Sequence, residues 1–186
     1  MSDEYRLYSH HVQPADLMET AYGLSKSPKP LTEEDIERLV DRNGRTVRSL
    51  IHLGEELNVL QETTENSYIV NTSLEDDIRQ ASIEQRHTLL QTYLERYEPF
   101  TAFLSFVIKG YTADEAAERV DILYDLGIES EKTKKQFVTL GKYTELVEED
   151  GDEIAVYADE DPLSEEYITQ LRDASSSSIN ARVFLE

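Results

Sequence analysis

An internal repeat constrains the fold of this chain more than any other feature of its sequence. The segment LTEEDIERLV at residues 31–40 resembles YTADEAAERV at 111–120, an offset of 80. The segment SLIHLGEELNVLQETTENSYIV at 49–70 resembles QFVTLGKYTELVEEDGDEIAVY at 136–157, an offset of 87. A repeat of this size indicates two copies of one supersecondary unit, with extra residues inside the second copy.

The first matched segment of each copy predicts a short helix. Thr32 and Thr112 are favourable N-cap residues, and an acidic first turn follows each of them, as expected at a helix N-terminus. A further helix is predicted ahead of each, over residues 15–24 and 100–109.

A second helix is predicted over residues 45–57 in the first copy and 130–143 in the second. Its apolar positions recur with the spacing of one buried face. In the first copy they are Val47, Leu50, Ile51 and Gly54, and in the second Lys134, Phe137, Val138 and Gly141, with Lys134 out of pattern. A glycine inside a helix costs about 1 kcal/mol relative to alanine, so the shared glycine predicts close approach of a neighbouring helix.

Two short strand-like runs follow each second helix. They lie at 59–61 and 67–70 in the first copy, and at 145–147 and 154–157 in the second. A polar turn separates the runs of each pair, which predicts a β-hairpin.

The passage from the second helix to the hairpin, at residues 53–60 and 140–147, resembles the winged-helix superfamily. The resemblance covers about residues 15–157. It implies a mainly α fold with small β-hairpin wings, in which two tandem winged helix-turn-helix units are joined by a long helix. The implied divisions are a first unit at 1–73, a linker helix at 74–98, a second unit at 99–160, and a C-terminal helix and tail at 161–186.

The segments outside the repeat suggest surfaces for a protein partner or a second copy of the chain. Residues 74–97 read as one long helix that Pro99 ends or kinks. A further helix is predicted at 163–173, and the apolar end at 179–185 is expected to dock on something.

In winged helix-turn-helix proteins the second helix enters the DNA major groove, so its charge tests the function that the resemblance implies. Residues 42–53 and 132–143 contain no acidic residue, although the chain is acidic overall. Cationic and polar side chains in these windows suit phosphates and base edges. The expected DNA contacts are Arg42, Arg45, Thr46, Arg48, Ser49, His52, Lys132, Thr133, Lys135, Gln136, Thr139 and Lys142.

The charge balance argues in the other direction. Asp and Glu number 39 against 18 Lys and Arg, for a formal net charge of -21. This composition is typical of proteins adapted to molar salt, where screening removes the mutual repulsion of carboxylates. It also suits an ordinary acidic protein with a basic partner. The acidic wing at 148–153 would be repelled by a phosphate backbone.

Two functions therefore remain open. The first is a DNA-binding protein, either a transcriptional regulator or the recognition module of a larger system, which uses both second helices on double-stranded DNA. The second is an acidic tandem winged-helix adaptor between proteins, similar to the chromosome-segregation partners of condensin-type ATPases or to components of defence complexes. In that case the cations of the second helices would pair with nearby acids.

Catalysis has no visible machinery in the sequence. The chain has no Cys, which excludes disulfides, thiolate metal sites and thiol nucleophiles. We expect no cofactor and no metal site, because His10-His11 stands without other ligands at suitable spacing, and no nucleotide-binding or hydrolase motif is present. Without a signal region or a membrane span, we expect a non-enzymatic cytoplasmic protein.

Overall fold

The computed structural model describes residues 5–7, 11–63, 66–150 and 153–157. The predicted C-terminal helix at 163–173 and the apolar end at 179–185 lie outside these residues. The elements in chain order are α1 Pro14–Lys26, β1 Leu31–Thr32, α2 Glu33–Val40, α3 Gly44–Glu56, β2 Leu60–Glu62, β3 Ser67–Val70, α4 Glu75–Gln80, α5 Ile83–Leu94, α6 Glu98–Ile108, α7 Ala113–Tyr124, α8 Ser130–Tyr143, β4 Val147–Asp150 and β5 Glu153–Val156.

The described chain is mainly helical with two small antiparallel sheets, as expected from the sequence. One sheet has the strand order β1-β3-β2, and the other is the hairpin β4-β5. The short strand β1 was not predicted, and it pairs Leu31 with Tyr68 and Thr32 with Ser67. Two residues are too short a run to show the alternation that marks a strand in a sequence.

The order helix, helix, helix and hairpin occurs twice, in a first unit from α1 to β3 and a second unit from α6 to β5. Helices α2 and α7, which hold equivalent places in the two units, both begin with a reciprocal capping box. The box pairs Thr32 with Asp35 in α2 and Thr112 with Glu115 in α7. This cap satisfies N–H groups that the first turn leaves without partners. The repeated sequence signals therefore produce the same local geometry in both units.

The passage from helix to hairpin is also the same in both units. The Val59 N–H donates to the Gly54 carbonyl at 2.7 Å, and the Leu146 N–H donates to the Gly141 carbonyl at 2.9 Å. The two donors and the two acceptors are each 87 residues apart, which matches the offset of the repeat.

The glycines allow a close contact, although the main neighbour is not the expected helix. A Cβ added to Gly54 would lie 2.6 Å from Leu60 Cγ, and one added to Gly141 would lie 2.5 Å from Val147 Cγ2. Leu60 and Val147 are the first residues of β2 and β4. A neighbouring helix is the second contact, because Leu17 Cδ1 of α1 lies 3.1 Å from the Cβ position of Gly54.

The expected long linker helix at 74–98 is wrong, because the structure has two helices there. Ala81 has extended backbone angles and ends α4. Ser82 then caps α5: its hydroxyl accepts from the Gln85 N–H, and the Gln85 side chain accepts from the Ser82 N–H at 2.9 Å. This capping box is a helix-start signal inside the segment. Pro99 lies in the first turn of α6, where proline fits a helix.

One apolar core runs through both units. It joins Leu17 of α1 and Leu50 of α3 to Leu94 of α5 and to Phe100 and Phe137 of the second unit. A smaller cluster lies between α2 and α3 and consists of Ile36, Val40, Val47 and Ile51. None of the helices in the described residues combines the length and apolarity needed to cross a bilayer.

Candidate nucleic-acid interface

The position of α3 follows from a cap and two buried flanks. Asn43 caps the helix by accepting a hydrogen bond from the Thr46 N–H at 3.1 Å. Val47 belongs to the cluster shared with α2, whereas Leu50 and Leu53 belong to the main core. Because α3 is buried on both flanks, only a narrow stripe of its surface remains accessible.

We call these accessible positions the basic stripes. On α3 the stripe is Arg45, Arg48 and His52, and on α8 it is Lys132, Lys135 and Thr139. The Arg and Lys side chains are exposed, and the third position of each stripe is half-buried. Spacings of three and four residues place each set on one helix face. The two stripes occupy the same positions of the repeat, as predicted.

Three of the expected contact residues are buried, which corrects the prediction for them. Ser49 is 2% exposed, Thr133 0% and Gln136 5%. The Ser49 hydroxyl donates to the Arg45 carbonyl within its own helix. The sequence pattern identified one apolar flank of each helix, whereas the structure buries a second flank as well.

Two further residues have local structural roles. Thr46 is half-buried, and its hydroxyl approaches the cap oxygen of Asn43 at 3.4 Å. Arg42 binds the carboxylate of Asp16 on α1 through two nitrogens, at 2.8 and 3.1 Å. This bidentate geometry orients Arg42 toward α1. Asp16 is distant in sequence, and no sequence signal marked it.

Carboxylates from other segments pair with several of the predicted cations. Arg48 Nε lies 2.8 Å from a Glu33 oxygen, and Lys132 Nζ lies 3.1 Å from a Glu129 oxygen. Lys142, just beyond the α8 stripe, pairs with Glu149 of β4 at 2.7 Å. The acid-free windows in the sequence therefore do not remain acid-free in space.

Arg45 and Lys135 differ from these, because neither has an ion pair with the part of the chain that the structure describes. The case of Lys135 has a clear origin. Its repeat counterpart Arg48 pairs with Glu33, but the position equivalent to Glu33 is Ala113 in the second unit. Each basic stripe thus carries one exposed cation that forms no ion pair within the described chain.

His52 is the titratable member of the α3 stripe. Burial lowers its pKa below the ordinary value of 6.5, and Glu33 and Glu62 oppose this effect. Its Nδ1 lies 3.7 Å from a Glu55 oxygen. At neutral pH the imidazole is therefore mostly uncharged, and the cationic charge of this stripe comes from its arginines.

The residues ahead of α1 lie against α8. The Val12 N–H donates to Gln136 Oε1 at 2.9 Å, and Gln136 Nε2 donates to the Val12 carbonyl at 3.1 Å. His11 Nε2 lies 2.9 Å from the Thr139 hydroxyl, which itself donates to the Lys135 carbonyl. Nothing in the sequence indicated this contact, and it gives α8 surroundings that the hydrogen bonds of α3 do not repeat.

A cleft of about 820 Å³ lies at the C-terminal end of α3. Glu56 lines this cleft, and its carboxylate accepts hydrogen bonds from the Arg6 N–H at 3.2 Å and the Tyr97 hydroxyl at 3.1 Å. Burial raises the pKa of Glu56 above its ordinary value, and these two hydrogen bonds oppose the shift. Burial and the neighbouring Glu56 also raise the pKa of Tyr97.

Comparisons with protein-family models, with curated proteins and with solved structures returned no match for this chain. Within the described residues, no group of three or more His, Cys, Asp or Glu side chains is placed to hold a metal ion.

Proposed function

We propose that this chain is a tandem winged helix-turn-helix protein that binds duplex DNA, either as a transcriptional regulator or as the recognition module of a larger system. The observation that supports the proposal is the recurrence of exposed cations at equivalent positions, Arg45 with Lys132 and Arg48 with Lys135. Recurrence at the helix that enters the groove in such folds favours a shared ligand over chance.

The ion pairs do not prevent this role. The Arg48 side chain remains 65% exposed beside Glu33, and exposed pairs contribute little net stability. A DNA phosphate can therefore replace the carboxylate. A guanidinium also suits bidentate contact with phosphate or with guanine.

The α3 stripe is the principal contact in this proposal. In the second unit, Glu148 and Glu149 of β4 add negative charge beside α8, and phosphates are repelled by such a wing. The net charge of -21 acts over long range only at low ionic strength, because the Debye length falls to about 3 Å at 1 M salt. Binding should rest on direct contacts of α3.

A second candidate is the acidic tandem winged-helix adaptor. The observation that favours it is the contact of Val12 with Gln136, which shows that α8 can hold an extended backbone segment. The segment 74–98 also exposes one large apolar side chain, Ile83, at 74%. A protein partner or a second copy would cover these surfaces.

Fluorescence anisotropy with a random duplex, measured across a salt series, tests the proposal. We expect Arg45→Glu to weaken binding by about tenfold or more, because it reverses one charge at the interface. Arg38→Glu is the matched control: it makes the same charge change at a 73% exposed side chain of α2 outside the stripe. Equal effects of the two variants, or no binding at any salt concentration, would reject DNA binding and favour the adaptor.

A further inference from the structure

The N-terminal segment, defined here as the described residues 5–7 and 11–13, lies along the second unit. The Leu7 N–H donates to the Leu126 carbonyl in the turn before α8 at 3.1 Å. Val12 then bonds to Gln136, and His11 bonds to Thr139. The segment thus contacts the turn before α8 and one flank of the α8 basic stripe.

The contact between Gln136 and Val12 uses the whole side-chain amide. One end accepts from the Val12 N–H and the other donates to the Val12 carbonyl. A glutamine amide that binds both backbone groups of one residue imitates a strand neighbour. At the equivalent position of α3, Ser49 bonds only to its own helix. This difference in side chain makes α8 the helix that holds the segment.

Hydrogen bonding also orients the imidazole of His11. The Thr139 hydroxyl donates to the Lys135 carbonyl at 2.8 Å, so it accepts from His11 Nε2. His11 Nδ1 then accepts from the Gln13 side chain at 3.3 Å. Both ring nitrogens of His11 therefore have hydrogen-bonding partners, Thr139 and Gln13.

These contacts cover polar groups that would otherwise lie beside Lys135. Gln136 and Thr139 have amide and hydroxyl groups, which are typical of contacts to DNA. With the segment in place, Gln136 is 5% exposed and its hydrogen-bonding groups are used. Leu7 and Val12 of the segment are themselves buried in the main core, so release of the segment is a local opening that also exposes these two side chains.

We propose that the N-terminal segment is an autoinhibitory cover over α8. In place, it restricts DNA contact to α3; displaced, it frees Gln136 and Thr139 and makes α8 a second DNA contact together with Lys135. This inference rests on the proposed DNA binding of α3, and it adds regulation of the second unit.

Two variants test the cover without DNA. Gln136→Ala removes both hydrogen bonds to Val12, and Ser49→Ala changes the equivalent buried position of α3 as the matched control. We expect the Val12 amide to exchange with solvent at least about tenfold faster in the first variant only, because its acceptor is lost. Unchanged exchange would show that the amide of Gln136 does not hold the segment, and would overturn the proposal.

Anisotropy with the random duplex then tests the consequence. We expect Gln136→Ala to raise affinity about threefold to tenfold and to steepen the salt dependence by about one phosphate contact. Adding Lys135→Glu should remove this gain. Faster exchange of Val12 with unchanged affinity would reject the cover while leaving the proposed function intact. If Arg45→Glu abolishes duplex binding and Gln136→Ala does not, the result supports α3 as the DNA contact whatever the outcome for the cover.

A lock provides the opposite test. The chain has no native Cys, so His11→Cys with Thr139→Cys gives a single thiol pair for a short bifunctional maleimide. Bridging these positions in the Gln136→Ala background should lower the duplex affinity again, to that of the protein with its native sequence. A bridged protein that keeps the higher affinity would overturn the proposal, and a thermal unfolding curve confirms that each variant is folded.

Discussion

Val147, the first residue of β4, lies directly over Gly141 of α8. A Cβ on Gly141 would come 2.5 Å from Val147 Cγ2 and 2.9 Å from Val147 Cβ, distances that real Cβ atoms essentially never show. Leu60 lies over Gly54 in the same way, 2.6 Å from the corresponding Cβ position. Each of these helices therefore joins its hairpin through a contact that requires glycine.

The first prediction follows from this contact. Gly141→Ala should destabilise the protein by about 1 to 2 kcal/mol, because overpacking a core outweighs the gain in helix propensity. Urea denaturation measures the difference. Gly23→Ala is the matched control, since its Cβ would meet the flexible end of the 38% exposed Leu39 and should be tolerated. Adding Val147→Ala should recover part of the loss; strictly additive effects would contradict the proposed contact.

The second prediction concerns the carboxylate that pairs with Arg48. Glu33→Gln should raise duplex affinity about threefold, because the Arg48 guanidinium then binds a phosphate without first giving up its ion pair with a carboxylate. The control is Glu34→Gln, which makes the same charge change at an 81% exposed side chain paired with Arg38. Anisotropy at fixed salt distinguishes them. An equal rise in both variants would indicate a general charge effect and remove the argument for Arg48.

The third prediction tests the break between α4 and α5. Ser82→Ala should destabilise the protein by about 1 kcal/mol, because it removes the N-cap of α5. Ser82→Asp should preserve stability, since aspartate is an equally good cap. A continuous helix through this position would instead gain from alanine, the better helix former. The sign of the change in urea denaturation therefore decides between one helix and two.

The fourth prediction is a pH dependence that arises from Glu56. Its pKa in the folded state is raised above the ordinary value of 4.5. As the pH rises above 4.5, the carboxyl ionises more readily in the unfolded chain than in the folded one, so folding stability falls until the folded pKa is passed. Glu56→Gln should lose this dependence and unfold at a higher temperature at neutral pH. If the native protein and Glu56→Gln gave parallel profiles of melting temperature against pH, Glu56 would not be the source of the pH dependence.

The fifth prediction separates a structural arginine from a DNA-contacting one. Arg42→Gln should lower the melting temperature, because Asp16, whose side chain is only 12% exposed, would lose a bidentate donor. Its effect on duplex affinity should not exceed that of Arg38→Gln, which removes the same charge from α2. If Arg42→Gln lowered duplex affinity as much as Arg45→Gln does, Arg42 would have to be a DNA contact, contrary to this prediction.

Much of the local structure could be predicted from the sequence. The acid-rich turns after Thr32 and Thr112 correctly marked the starts of α2 and α7, and the apolar spacing gave α8 its observed bounds, Ser130–Tyr143. Caps, helical periodicity and turn residues act over a few neighbouring positions, so a linear sequence contains them in full. The capping box of Ser82 and Gln85 was equally visible but was missed, because the apolar pattern on both sides suggested one helix.

Tertiary structure decided which side chains the repeated helices expose. The repeat makes Ser49 and Gln136 equivalent positions, but packing on a second flank buries both of them. Gln136 additionally binds Val12, which lies 124 residues away in the sequence. Likewise, the acid-free window around Arg48 meets Glu33 only because α2 folds back on α3. Burial and ion pairing depend on distances between remote segments, and those distances exist only once the chain has folded.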